Sequence, residues 1–491
     1  MGKIASQSIQ TAVFSYIGVV LGYINVLWLY PYSLDATQLG TFRTIQDLGL
    51  LFVPFAQLGV GHGITRFFPQ LQNRQSAFLS FSLLISLLGF LGVSILFFGF
   101  REQLVGLFAA NSPEVIDFLG VVLLITLFSL LSSVLDSYAR SFLKVAVPTF
   151  FREVFLRFLT SILVGIYLLQ WINFDQVMMG LVTVYGIALA GVSVYLVWLG
   201  VLKFDFSWGN FPEGFRSSFL RFSLITFLAT AASTLIMKID SIMVSSMVSL
   251  EANAVYSIAF YMALVVELPR RAISQVSMPL IADHFAKNQL ESINLLYRQI
   301  SNRQLYICIL LFALIWSSID QIYHFVPNRE IYQAGKWVVF YIGLGKIFDV
   351  AFSVNSEILV FSKYYRFNLL LTIAMSLLII AVNYWLIPIY GIEGAAIGSS
   401  LVMLTFNGVK YLYLKVRLKL DPFSWETLKI LVAGTACFVS HQLELAYLSP
   451  IGNIILKSLV VIATFLIFSM VFNLGKEEWD FIKKKIKKSG P

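Results

Sequence analysis

Arg43 and Asp47 stand four residues apart in a segment, Gly40–His62, that is otherwise apolar enough and long enough to cross a bilayer. That spacing puts both on one face of a helix. An ionisable side chain at such depth costs at least about 2.5 kcal/mol unless it faces protein, water or a bound partner. Similar residues recur further on. Lys238 and Asp240 close one apolar run. Glu267, Arg270 and Arg271 surround Pro269 in another. Lys346 and Asp349 lie three apart in a third, with Glu357 two turns later. Arg43, Asp47, Lys238, Glu267, Arg270, Arg271, Lys346 and Asp349 are therefore the candidate substrate-binding residues. Five cations against three carboxylates suit an anionic cargo. The competing reading is that these groups pair with one another as structural salt bridges. That reading is preferred for Asp136 and Arg140 and for Arg152, Glu153 and Arg157, because side chains near span ends snorkel cheaply to water.

Other chemistry is missing from the pattern. Gly343-Leu344-Gly345-Lys346 lacks the spacing of a phosphate loop and sits mid-helix. Gly59-Val60-Gly61-His62-Gly63 has no strand–helix–strand context and reads as a flexible helix end. The four histidines are scattered singly, so no metal site is expected. No nucleophile–base set is legible. The chain is read as neither an enzyme nor an ATP-driven pump, with no catalytic residues and no cofactor. Cys308 and Cys437 both fall in apolar runs and read as small hydrophobes.

The elements that carry these charges are membrane helices. Of 491 residues, 58% are hydrophobic and 12% charged, with a mean hydropathy of +0.82. Soluble domains carry about a quarter charged residues. The fold class is all-α integral membrane, with about fourteen spans. They run near 8–30, 40–62, 76–98, 115–138, 149–171, 176–199, 217–238, 252–271, 304–322, 334–358, 367–388, 392–414, 425–445 and 451–472. Lys3 precedes a first run too long for a cleaved leader, which reads as a retained anchor. The net charge of +9 reflects basic loops and not a nucleic-acid partner. With both termini cytoplasmic, roughly 27 of the 35 Lys and Arg fall on the inner side.

A weak repeat organises the spans. Asp35-Ala36 meets Glu251-Ala252, Pro54 meets Pro269, Asp136 meets Asn355, Ser137 and Lys144 meet Ser356 and Lys363, and Asp175 and Gly180 meet Glu393 and Gly398. The offsets stay near roughly 215 to 219 residues, and an even number of spans per copy makes the repeats parallel. The expected organisation is an N-lobe of six spans at 1–203, a C-lobe of six at 204–420, two further spans at 421–473 and a basic cytoplasmic tail at 474–491. The prolines are expected to let the second and eighth spans bend. Two amphipathic stretches are expected to lie on an anionic cytoplasmic leaflet: Phe285, Leu290, Ile293, Leu296 and Ile300, and the tail Lys476–Lys488.

Leu39-Gly40-Thr41-Phe42-Arg43, Leu58-Gly59-Val60-Gly61-His62-Gly63-Ile64-Thr65-Arg66-Phe67 and Tyr390-Gly391-Ile392-Glu393-Gly394-Ala395-Ala396-Ile397-Gly398-Ser399-Ser400-Leu401 resemble segments of the polysaccharide (O-antigen-type) flippase family. That family belongs to the multidrug/oligosaccharidyl-lipid/polysaccharide (MOP) exporter superfamily. The resemblance covers essentially the whole chain. It implies transport of a polyprenyl-pyrophosphate-linked oligosaccharide from the cytoplasmic to the periplasmic leaflet of a bacterial inner membrane, by alternating access, for surface polysaccharide synthesis. It implies a cationic cavity between the lobes formed by Arg43, Lys238, Arg270 and Arg271. A glycan polymerase is an implied partner. Moving about two negative charges outward gains about 4–5 kcal/mol per 100 mV, so a coupling proton or sodium ion is compatible but not required. Two alternatives stay open. One is an ion-coupled multidrug exporter, for which Asp47 and Glu267 would serve. The other is a lipid II flippase, whose helix 1 arginines have only Asn25 as a counterpart here.

Overall fold

The computed structural model describes residues 2–71, 74–208, 211–443 and 448–474. They are helical almost throughout. The principal helices are α1 (Gly2–Ile24), α2 (Ala36–Gln57), α3 (Val60–Phe67), α4 (Gln75–Gly99), α5 (Leu119–Ser141), α6 (Leu156–Leu168), α7 (Phe174–Trp198), α8 (Phe215–Met247), α9 (Leu250–Leu264), α10 (Leu268–Ala286), α11 (Leu290–Ser317), α12 (Lys336–Phe352), α13 (Asn355–Phe361), α14 (Tyr365–Leu418), α15 (Trp425–Cys437) and α16 (Pro450–Val471). Helix starts are written in the sequence as reciprocal caps. Asp35 accepts from the Gln38 backbone N–H while Gln38 accepts from that of Asp35, and Asn173 with Gln176 does the same for α7.

Among the described residues nine helices are long and apolar enough to cross a membrane. The number is eleven when each of two bent pairs counts as one span: α2 with Val60–Gln70, bent by 48°, and Arg329–Phe352 with α13, bent by 45°. Three places account for the step from eleven to the expected fourteen. At the first, the eleventh and twelfth expected spans are both present: α14 is two helices that meet at a kink at Gly391, whose φ of 58° and ψ of −134° suit a residue without a Cβ, and it is counted above as one. The fifth is helical without a break from Ala146 through a π-helical turn, Phe150–Phe155, to Leu168, and carries Arg152, Glu153 and Arg157 in its first half. The thirteenth is the thirteen-residue α15, prolonged by a 3-10 turn at Phe438–Gln442.

Two further expectations are corrected. The seventh span does not end at Lys238: α8 continues to Met247, and Asp240 is buried inside it and not in a loop. The stretch Phe285–Ile300, whose Leu290 stays exposed, is not one continuous helix. It is the end of α10, a turn, and the opening of α11. Ile293, Tyr297 and Ile300 pack with Val354, Ile358, Leu359 and Leu414. Ile293 and Ile300 of the apolar face thus meet protein. The basic tail Lys476–Lys488 lies outside the described residues.

The chain forms two compact units, Met1–Ile258 with Thr372–Ile392, and Ala259–Leu371 with Glu393–Pro491. In the first, an aromatic cluster joins α3, α4 and α8: Phe67 meets Phe215 edge-on at 5.7 Å, and Phe78 meets Phe219 at 5.2 Å. The segment after α7 is tied down by Tyr138, whose hydroxyl donates to the Val201 carbonyl at 3.2 Å, and by the Asp205 N–H, which donates to Ser80 at 3.0 Å. Close backbone approach fixes the site-bearing helices, as small residues do in lipid, where burial alone does not drive helices together. A Cβ on Gly40 would sit 1.9 Å from the Leu250 carbonyl oxygen, so α2 and α9 begin in direct contact. The bend after α2 requires Gly59, which has φ 73° and would place a Cβ 2.0 Å from the Ser223 carbonyl oxygen.

Gly59→Val is expected to abolish monodisperse, folded protein in size-exclusion chromatography. At Gly92, where an added Cβ meets nothing within 4 Å, Ala is expected to leave the melting temperature unchanged or raise it, since Gly costs about 0.5–1 kcal/mol relative to Ala in a helix.

Candidate functional site

In the first unit the charges are carried by α2 and α8. Thr44 comes one turn after Gly40, so the close approach at Gly40 brings it against its neighbours. Its hydroxyl lies 2.6 Å from that of Ser245 and accepts from Asn253 at 2.9 Å. One turn further, Asp47 pairs with Lys238 of α8 at 2.6 Å. Arg43 is 8% exposed, with its guanidinium over the Tyr30 ring at 5.3 Å. The i, i+4 spacing of Arg43 and Asp47 thus gives a shared face, but the carboxylate's ion pair is with another helix. Two residues past Lys238, Asp240 is 5% exposed and accepts from the Tyr256 hydroxyl at 2.8 Å and the Asn383 amide at 2.6 Å.

The second unit holds the other charges. Glu267, at the 3-10 turn before α10, lies 2.6 Å from Lys346 and 3.3 Å from Arg271. Arg270 pairs with Asp349 of α12, whose second oxygen accepts from Asn407 at 2.8 Å. Asn407 in turn accepts from Asn355 at 2.9 Å. Lys346 and Asp349, neighbours on one helix, are therefore engaged by different residues of the α9–α10 junction. Pro269 stands at the start of α10, directly after the 3-10 turn, so the kink sets Glu267, Arg270 and Arg271 toward α12. Arg271 keeps about half of its side chain exposed, 52%, while it shares Glu267 with Lys346.

Sequence reasoning missed Lys410. It is 2% exposed, donates to the Ser356 hydroxyl and lies 3.5 Å from the centre of the Phe406 ring. Asp349 and Glu357 act on it only through space. The available signal was a lone lysine in the apolar run Phe406-Asn407-Gly408-Val409-Lys410, three residues after Asn407. Asn383, Tyr256 and Asn407 were missed because neutral polar groups in membrane helices give a weak pattern; their role emerges only across helices. Nearer the span ends, Asp136 pairs with Arg152 at 2.7 Å, not with Arg140. Asn25 is spent on Arg157 and Ser161 at 3.1 and 2.7 Å, and the Arg157 guanidinium fills the space beside Gly18 and Gly22 of α1. Among the described residues no group of three or more His, Cys, Asp or Glu is placed to hold a metal ion.

No protein-family model matches the chain, and no curated protein matches it in sequence. Solved structures do match in fold. A structure of the lipid II flippase MurJ in an inward closed conformation superposes with a TM-score of 0.74 at 17% identity, covering 94% of this chain and 98% of that one. An inward-facing multidrug resistance MATE family transporter of the MOP superfamily gives 0.64 at 15% identity, covering 84% and 94%. An outward-facing structure of that kind gives 0.58 at 13% identity, covering 85% and 95%. The chain is thus an all-helical membrane protein that shares its fold with MurJ and the MATE transporters.

A double-mutant cycle tests the Asp47–Lys238 pair. Asp47→Asn is expected to lower the melting temperature by removing the carboxylate that offsets the Lys238 ammonium. Asp47→Asn with Lys238→Met is expected to recover part of the loss, with a coupling of about 1–3 kcal/mol. Lys410→Met removes a buried charge that no carboxylate contacts and is expected to raise the melting temperature; a lower value would show that its hydroxyl and ring contacts outweigh desolvation.

Proposed function

We propose that this protein is a flippase that carries a polyprenyl-pyrophosphate-linked oligosaccharide from the cytoplasmic to the periplasmic leaflet of a bacterial inner membrane, with both termini cytoplasmic, for surface polysaccharide synthesis. The observation that carries the reading is the cation surplus of the network in the second unit, where Arg270, Arg271, Lys346 and Lys410 stand against Glu267, Asp349 and Glu357. Glu267 serves both Lys346 and Arg271, Asp349 is taken by Arg270, and Lys410 is held by a hydroxyl and a ring. A diphosphate is the ligand chemistry that such a set accepts, because its oxygens can replace a shared carboxylate on a guanidinium with bidentate, charge-assisted bonds. Arg271, half exposed and sharing its partner, is the first group such an anion would reach. Arg270 and Lys346 are the deeper contacts of that unit; in the first unit Arg43 and Lys238 are the candidate anion contacts, with Asp47 as the partner of Lys238.

The full-length fold likeness to a lipid II flippase supports a lipid-linked substrate. A lipid II cargo itself is the nearer alternative; Arg157 supplies a guanidinium beside α1 where the sequence of α1 has none. An ion-coupled drug exporter is favoured by one observation, the buried Asp240 with its Tyr256 and Asn383 donors, a carboxylate arrangement suited to a proton or sodium ion.

Complementation separates these readings. In a strain lacking its own polysaccharide flippase, the wild type is expected to restore surface glycan. Arg43→Ala and Arg270→Ala are expected to abolish it at equal membrane expression, with Asp47→Asn milder. The reverse order of severity, together with acquired resistance to cationic dyes, would sink the flippase reading.

A further inference from the structure

A second basic site lies in the first unit, away from Arg43. α3 ends at Phe67, and α8 begins at Phe215 after Gly214, which has φ 73°. Between these ends is a cavity of about 560 Å³ whose polar lining is Arg66, Gln70, Glu213, Ser218 and Arg221. We propose that this cavity binds the phosphate of an anionic lipid headgroup.

Both arginines line the cavity. The Arg66 guanidinium lies over the Phe222 ring at 4.3 Å and near the Phe67 ring at 5.7 Å, so aromatic faces hold it in position while leaving its N–H groups to the cavity. Among the described residues neither Arg66 nor Arg221 forms a salt bridge; both are exposed. Glu213 is the one acidic lining residue, so the lining carries one formal positive charge, matching a phosphodiester. Arg216, the next basic side chain, donates instead to the Trp208 carbonyl at 2.6 Å. The opening turn of α8 adds the positive end of a 33-residue helix.

The surroundings of the cavity select a lipid over a free anion. The first turns of α8, which line it up to Ile225, leave Leu220, Leu224 and Ile225 exposed, an apolar surface that runs up to the basic lining. The walls there are Phe67, Phe215 and Phe222, continuous with the aromatic core of the unit. A phosphate with an apolar body fits both halves; an inorganic ion uses only one.

The test uses the full chain in non-ionic detergent and measures binding of dioctanoyl phosphatidylglycerol, dioctanoyl phosphatidylcholine, farnesyl diphosphate and inorganic phosphate by thermophoresis. Phosphatidylglycerol is expected to bind at least tenfold tighter than phosphatidylcholine or inorganic phosphate. Arg66→Gln with Arg221→Gln is expected to lose at least tenfold of that affinity, while Arg101→Gln, outside the cavity, retains it. Because Arg66 packs on a ring, Arg221→Gln alone is the second variant, with a loss of at least threefold. Unchanged binding in a variant that elutes and melts as the wild type overturns the proposal, and so does inorganic phosphate binding as tightly as the lipid. Farnesyl diphosphate outcompeting phosphatidylglycerol would identify the phosphate as that of a carrier lipid; the opposite order would identify a membrane phospholipid. The site is independent of the transport reading: Arg43→Ala, which that reading makes essential, is expected to bind phosphatidylglycerol as the wild type does.

Discussion

A charge held among apolar helices must be answered by another polar group on a neighbouring helix, and this requirement organises the structure. Desolvating an ion in a protein interior costs several kcal/mol, and only close, well-directed partners offset it. The carboxylates of the two networks are met in this way. Asp47 is answered from α8, Asp240 from α9 and α14, Asp349 from α10 and α14, and Glu267 from α10 and α12. Apart from Asp240–Tyr256 and Glu267–Arg271, which are local, these pairs tie helices 58 or more residues apart in sequence. The pairs therefore fix which helices are neighbours, a task that burial of Leu and Phe cannot perform where the surrounding solvent is itself apolar.

Backbone contact makes these pairs reachable. Gly40 lets α2 touch the start of α9, and from there Thr44 and Asp47 fall at successive turns toward α8. Gly343 leaves room for the Phe312 ring and Gly345 for the Ser400 side chain, so α12 packs closely on α11 and α14 just before Lys346 and Asp349. Breaks in the helices do the complementary work. The 3-10 turn before Pro269 presents Glu267 and the two arginines toward one helix, and Ser353, at φ 54°, separates α12 from α13 beside the Asp349 network.

The sequence makes the membrane class and most spans legible, because apolar runs of that length have few other uses. It also marks the charged residues, since each is rare in its context. It does not say which charge meets which. Arg43 and Asp47 share a face by spacing, yet the observed pair is Asp47 with Lys238, 191 residues away. Lys346 and Asp349 illustrate the same point. Periodicity within one helix reports faces; partners depend on how helices cross. Composition also misleads at span ends. Phe285 to Ile300 has the periodicity of an interfacial helix, and whether its apolar side meets lipid or protein is decided by α13 and the end of α14, which pattern reading does not place. Asp240 reads as a loop residue only because a charged pair so often ends a span.

Pairing within each unit also constrains how any cargo can be moved. An anion that enters must compete with a carboxylate already in place, so its binding energy is partly spent on separating a protein pair. Where one carboxylate is shared by two cations, as Glu267 is, the anion can take Arg271 while Lys346 keeps Glu267 and nothing is left stranded. Asp47 and Lys238 lie 2.6 Å apart on different helices, so an anion that competed for that lysine would also have to loosen the tie between α2 and α8.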